Sequence, residues 1–206
     1  GAKTVGEISG AVVENEEIIR LLSAAKRAGV KVNGHCPSMG FCDVQQAACA
    51  GLCDDHECES ISDLEQRLAC GMAVLVREGT IEPNCRTFCK GIVENHIPTD
   101  NIMFCTDDKS AEDIKKNGCI DNALRIAVKS GIDPVTAIKM ATLNAARHYG
   151  VDDIIGSVAP SRKANFLLMD SLENMTVKKV YHEGRLVAEN GKLLCRHEFD
   201  IGRYPE

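Results

Sequence analysis

Apolar positions along this chain follow two spacings, one typical of helices and one typical of short strands. Residues 14–28 have helical spacing, with Ile18, Leu22 and Ala25 on one side and Gly29 as a stop. Short apolar runs lie between segments of this kind. The predicted strands are 30–33, 52–54, 72–77 and 102–105. The predicted helices are 14–28, 43–50, a segment after Ser60 that runs to Ala69, 81–95, 110–117, 121–129, 135–141 and 142–149.

This alternation of strands and helices predicts an α/β fold with parallel βαβ units joined by right-handed crossovers. The pattern changes after Gly150, where 154–170 and 177–194 alternate apolar and polar residues around turns. Glu183-Gly184 and Asn190-Gly191 are typical of tight hairpin turns. We therefore expect an α/β unit over 1–150 and a small β unit over 151–206.

Charge and hydropathy exclude several classes of protein. The formal net charge of −6 over 206 residues gives no electrostatic footprint for nucleic acid or for an anionic membrane. No apolar run approaches the roughly 20 residues that span a bilayer, and the first residues do not resemble a signal peptide. These features predict a cytoplasmic protein.

The chain has eleven cysteines, an odd number, and they follow no secretion signal. Reduced thiols are therefore expected. Cys49/Cys53 and Cys85/Cys89 have a spacing that places both members on one helix face. Such pairs can bind zinc, but buried thiols that act as small apolar residues are the favoured interpretation.

Ionisable residues follow three of the apolar runs. They lie in Gly34-His35-Cys36-Pro37, Asp55-His56-Glu57-Cys58 and Cys105-Thr106-Asp107-Asp108. Since the chemistry of a parallel α/β fold gathers at the carboxyl ends of its strands, these segments are expected to meet. Two histidines and an aspartate at such an edge predict part of a hydrolytic metal site.

In this order, the same segments resemble the amidohydrolase superfamily, and within it the adenine deaminases. The resemblance extends to the strand 72–77 with Glu78-Gly79, to Ala141-Thr142-Leu143-Asn144, and to Gly156-Ser157-Val158-Ala159-Pro160. It implies a partial (β/α)8 metallo-hydrolase barrel, about strands four to eight, followed by a small β-sandwich segment. The implied reaction is hydrolysis of adenine to hypoxanthine and ammonia, a step of purine salvage.

The resemblance also implies the residues of the site. Glu7, His35, His56 and Asp107 correspond to metal ligands, and Asp107 also to the proton acceptor. Glu57 and Asp108 are assigned catalytic and substrate-binding roles. Imidazole and carboxylate ligands suit Mn or Fe, and also Zn. The remaining histidines are interpreted as surface or core residues, and Arg77-Glu78 as a structural pair at a strand end; those histidines are His96, His148, His182 and His197.

One feature of the superfamily is absent from these 206 residues, the His-x-His of its first barrel strand. We expect the second half of a deaminase, whether as a fragment, a degraded gene product or one piece of a split protein. The isolated chain should then be inactive and should form a homo-oligomer or bind a partner that supplies the missing half. Two alternatives remain open: a dihydroorotase-like cyclic amidase, which a lysine instead of Glu7 would favour, and a non-catalytic scaffold.

Overall fold

The computed structural model describes the backbone of residues 4–9 and residues 15–194 in full. Its first part is a parallel sheet of five strands in the order β1-β2-β3-β4-β5. The strands alternate with helices along the chain. The strands are β1 (Thr4–Ser9), β2 (Lys31–His35), β3 (Leu52–Asp55), β4 (Ala73–Arg77) and β5 (Ile102–Cys105). The helices are α1 (Glu16–Ala28), α2 (Phe41–Ala50), α3 (Ile61–Ala69), α4 (Cys85–Glu94), α5 (Ala111–Asn117), α6 (Ile120–Lys129), α7 (Pro134–Ala141) and α8 (Leu143–His148).

Local sequence signals fix the ends of these helices. Asn15 caps α1 by accepting hydrogen bonds from two backbone N–H groups, and Gly29 ends it in the left-handed conformation. Ser60 and Asp63 form a reciprocal capping box at the start of α3. Pro134 occupies the first turn of α7, where its missing N–H costs nothing. The predicted helix positions are therefore confirmed to within a few residues, apart from the helix predicted over 81–95, which begins only at Cys85.

Two apolar clusters hold the helices on the sheet. One joins α1 and α2 to β2 and β3, with Val44 and Ala47 completely buried. The other joins α4, α6 and α7 to β4 and β5, with Ile102 and Met140 completely buried. Burial of such side chains contributes about 1.5–3 kcal/mol each relative to exposure. These clusters fix the strand ends on which the site residues lie.

A second sheet follows, antiparallel and four-stranded, in the order β6-β7-β8-β9. Its strands are β6 (Phe166–Met169), β7 (Val177–His182), β8 (Arg185–Glu189) and β9 (Lys192–Leu193). Both predicted turns are confirmed, because Glu183, Gly184, Asn190 and Gly191 all have positive φ, as this kind of hairpin turn requires. The β-structure predicted from residue 154 begins later in the structure, because the first strand starts at Phe166.

The cysteine interpretation is correct for one pair and wrong for the other. Cys85 and Cys89 are buried on α4 with their Sγ atoms 3.8 Å apart, and they pack in the apolar cluster. Cys49 and Cys53 do not share a helix face, because Gly51 ends α2 in the left-handed conformation and Cys53 lies on β3. All ten cysteines within the described residues are free thiols. In that same part of the chain, no helix is long and apolar enough to cross a bilayer.

Candidate metal site

Histidine and carboxylate side chains meet at the carboxyl ends of neighbouring strands. His35 is the last residue of β2, and His56 and Glu57 follow β3 directly. One ligand atom from each of these three residues lies within 4.8 Å of the other two. The two strands are adjacent in the sheet, with Gly34 paired with Asp55. The convergence expected from the sequence is therefore present for these three residues.

Glu57 contacts both imidazoles. Its Oε1 is 3.5 Å from His35 Nδ1 and 3.2 Å from His56 Nε2, and these two nitrogens are themselves 3.5 Å apart. Asp107 approaches from the end of β5, with Oδ1 4.0 Å from His56 Nε2. Two imidazoles and the Glu57 carboxylate thus meet in one small volume, with the Asp107 carboxylate beside His56. Imidazole and carboxylate donors suit a divalent transition metal such as Mn, Fe or Zn.

Arg77 joins the two carboxylates, a contact that the sequence interpretation missed. Its Nη1 donates to Glu57 Oε1 at 2.6 Å and to Asp107 Oδ2 at 3.5 Å. The side chain is only 6% exposed, so these hydrogen bonds are only weakly screened by water. Its signal in the sequence was a cation at the end of an otherwise apolar strand, and that cation orients Glu57 and Asp107.

The backbone of Asp107 is unusual, with a φ of 47°. Left-handed conformations are uncommon outside glycine, although aspartate tolerates them better than most residues. Residues in sparsely populated conformations cluster at functional sites, where the surrounding structure holds them in place. This conformation belongs to the turn that brings the Asp107 carboxylate towards His56.

A buried ion pair beneath the site holds both histidine loops. Asp55 Oδ1 accepts from the backbone N–H of Cys36 and of Glu57, each at 3.1 Å. Arg67 Nε donates to Asp55 Oδ2 at 3.0 Å, and Arg67 Nη2 donates to the Cys36 carbonyl at 2.8 Å. Both side chains are at most 1% exposed. The Asp55–Arg67 pair therefore fixes the position of the residue after His35 and of the residue after His56.

Electrostatics keep the Arg67 guanidinium charged. Burial acts to lower the pKa of Arg67, but the hydrogen bond to Asp55 and the neighbouring negative groups outweigh it, so the pKa is raised. The nearby thiols stay protonated. Burial, reinforced by Asp55, raises the pKa of Cys58 to about 12, and burial together with Asp107 does the same for Cys105. These two thiols therefore bring no negative charge to the site at neutral pH.

Asp108 contacts the loop that follows β4. Its Oδ2 accepts from the backbone N–H of Ile81 at 2.7 Å. A Cβ at Gly79 would collide with the Asp108 carboxylate, so only glycine fits beside it. The other oxygen, Oδ1, is buried and has no hydrogen-bond partner among the described residues.

Glu7 is placed by its backbone alone. It lies on β1, next to β2, and pairs with Asn33 in the parallel register. β1 is thus the strand adjacent to the one that carries His35, which is the position expected for the fourth barrel strand. A role for Glu7 as a metal ligand stays a prediction.

Comparison with known families identifies the chain. The model of the amidohydrolase family matches residues 4–187, which include all five strands of the parallel sheet. The chain belongs to the amidohydrolase family. Among curated amidohydrolase relatives, it is 42% identical over 173 residues to an adenine deaminase of Kosmotoga olearia and 40% identical over 185 residues to one of Nitratidesulfovibrio vulgaris. These alignments cover 84% and 90% of the chain but only 29% and 32% of the two relatives.

Solved structures agree at the level of the fold. An N-acetylglucosamine-6-phosphate deacetylase from Pasteurella multocida superposes with a TM-score of 0.69 at 14% identity, over 91% of this chain and 57% of that one. At such low identity, the superposition supports a shared fold and not a shared function. The predicted α/β class is confirmed, and this amidohydrolase chain spans about a third of the length of the curated relatives it matches.

Proposed function

We propose that this chain forms part of the site of an enzyme that hydrolyses adenine to hypoxanthine and ammonia with the help of a divalent metal ion. The observation that carries the proposal is the convergence of His35, His56 and Glu57 at adjacent strand ends. The chain's similarity to adenine deaminases from two bacteria supports the choice of substrate. The partial barrel, the division at residue 150 and the role in purine salvage belong to the same proposal.

His35, His56 and Asp107 would hold the metal ion, together with Glu7 of the neighbouring strand β1. When bound, such an ion supplies a nucleophile at neutral pH, because it lowers the pKa of water to about 7. The residues fit this group, since their nitrogen and oxygen donors are those that Mn, Fe and Zn accept. Mn or Fe is our choice, with Zn as the alternative.

The proton steps are assigned to carboxylates of the chain. Asp107 Oδ1, which faces His56, is placed to accept a proton from the attacking water. Glu57 Oε1, hydrogen-bonded to Arg77, is placed to pass a proton towards the ring of the purine. Asp108 is assigned to purine binding on the chain's similarity to adenine deaminases.

Assembly follows from the edges of the parallel sheet. Within the described residues, β1 and β5 each have one neighbour only, so the sheet has two open edges. Open edges promote pairing with further strands. We therefore propose that the chain forms a homo-oligomer or binds a partner that supplies further barrel strands. Sedimentation velocity should give a species heavier than one chain, and a compact monomer at all concentrations would contradict this expectation.

Substrate choice separates deamination from its rival in the superfamily. In an assembly in which a His-x-His segment complements this chain, we expect ammonia and hypoxanthine from adenine when Mn or Fe is added. The matched assay offers dihydroorotate. If the assembly is a dihydroorotase-like cyclic amidase, it should open the cyclic amide of this compound and leave adenine unchanged. Ring opening without ammonia release would keep the superfamily and overturn adenine as the substrate.

A further inference from the structure

A second cluster of metal-ligating side chains shares no residue with the first. Cys53 Sγ, Asp54 Oδ2 and His148 Nε2 all lie within 4.8 Å of one another. His148 Nε2 is 2.6 Å from Asp54 Oδ2 and 3.8 Å from Cys53 Sγ, and Sγ is 3.7 Å from Oδ2. Cys53 and Asp54 come from β3, whereas His148 is the last residue of α8. The sequence interpretation left this histidine without a role.

We propose that Cys53, Asp54 and His148 bind a divalent ion of the zinc class. Zinc takes thiolate, imidazole and carboxylate ligands, and its tetrahedral bonds of about 2.0–2.3 Å place neighbouring ligand atoms roughly 3.3–3.6 Å apart. The two separations that involve sulfur are already close to these values. The separation of His148 from Asp54 is shorter because they share a hydrogen bond, and metal binding would replace that proton.

The surroundings of the cluster fit a coordination site. Asp54 Oδ1 accepts from the backbone N–H of Gly34 at 3.1 Å, which fixes the carboxylate. The Asp54 and His148 side chains are 1% and 8% exposed, so few waters compete for them. Cys53 and His148 also line a cleft of about 400 Å³, from which a water molecule can fill a fourth position.

Binding would link two distant parts of the chain. Asp54 and His148 are 94 residues apart, and the link joins the middle of the parallel sheet to the helix that precedes the second sheet. Because a bound metal that closes a long loop stabilises the folded chain, zinc should raise the melting temperature. The proposed deamination has no part in this inference.

Cobalt provides a direct test, because thiolate coordination gives Co²⁺ a sulfur-to-metal absorption in the near ultraviolet. We expect this absorption from the wild-type chain and its loss in Cys53→Ser and in His148→Gln. Cys49→Ser changes an exposed cysteine outside the cluster and should keep the absorption. His56→Ala should keep it too, since the first site contains no thiol ligand.

Each other outcome would overturn the assignment. Absence of the absorption in the wild-type chain, or its persistence in Cys53→Ser, would exclude Cys53 as a ligand. Persistence in His148→Gln would exclude the three-residue site. If Cys53→Ser fails to fold by circular dichroism, His148→Gln carries the test, together with the zinc-dependent melting temperature. Zinc should raise that temperature in wild type, in Cys49→Ser and in His56→Ala, and by less in His148→Gln; an equal rise in His148→Gln would contradict the proposal.

Discussion

Replacing Asp107 by asparagine should lower the rate of adenine deamination by about 10²–10⁴-fold in the complemented assembly, which is the usual effect of removing a general base. The amide keeps the size of the side chain, but it cannot accept a proton from water and is a poorer metal ligand. Arg77 Nη1 donates to Asp107 Oδ2 at 3.5 Å, and it can still donate to the amide oxygen of the asparagine. The fold should therefore survive, and ammonia release from adenine is the measurement.

Two variants outside the proposed site provide controls for this prediction. Asp153→Asn makes the same chemical change at an exposed position, and His182→Ala removes an exposed histidine of β7. Both should leave the rate nearly unchanged. Ordinary activity in Asp107→Asn would remove Asp107 from the mechanism, and an equal loss in Asp153→Asn would point to a general loss of stability.

Truncating Arg67 to alanine should lower the free energy of unfolding by about 3–5 kcal/mol, the usual effect of leaving one charge of a buried pair without its partner. Asp55 would be left completely buried and would lose the guanidinium that donates to its Oδ2. The Cys36 carbonyl would lose its hydrogen bond from Arg67 as well. Urea denaturation followed by circular dichroism measures the loss.

An exposed arginine gives the matched control. Arg20 forms an i,i+4 pair with Glu16 on α1, with both side chains more than four-fifths exposed. Its replacement by alanine should change the free energy of unfolding by about 0.5 kcal/mol or less. Arg67→Lys should lower the free energy of unfolding by less than Arg67→Ala and by more than Arg20→Ala. The ammonium keeps the charge but not the two-pronged geometry of the guanidinium. A change in Arg67→Ala no larger than in Arg20→Ala would show that the buried pair does not hold the fold.

Much of this architecture was predictable because its signals are local. The turns at 183–184 and 190–191 require positive φ. Glu-Gly and Asn-Gly at these positions predict such turns, because glycine and asparagine adopt positive φ more readily than other residues. The meeting of His35, His56 and Glu57 was predictable because their segments follow apolar runs, and parallel strands bring such positions to one edge. Periodicity and capping residues placed the helices to within a few residues in most cases.

Contacts between distant segments were not predictable in the same way. The contact of Arg77 with Glu57 spans 20 residues, and that of His148 with Asp54 spans 94. Such contacts depend on strand order and on the path of α8, neither of which leaves a spacing in the sequence. The prediction that Cys53 shares a helix face with Cys49 was wrong for a related reason. Gly51 ends the helix between them, so their spacing in the sequence does not place them on one face.

Mn²⁺ binding to the chain tests the central claim most directly, because this ion prefers nitrogen and oxygen ligands to thiolate. Electron paramagnetic resonance measures the Mn²⁺ that stays free in a titration, and we expect it to show weak binding. After dialysis against a mild chelator, we expect less than one ion to be retained per chain. This binding should vanish in His56→Ala and persist in Cys53→Ser. Wild-type retention in His56→Ala, or two ions held tightly through dialysis, would contradict the account.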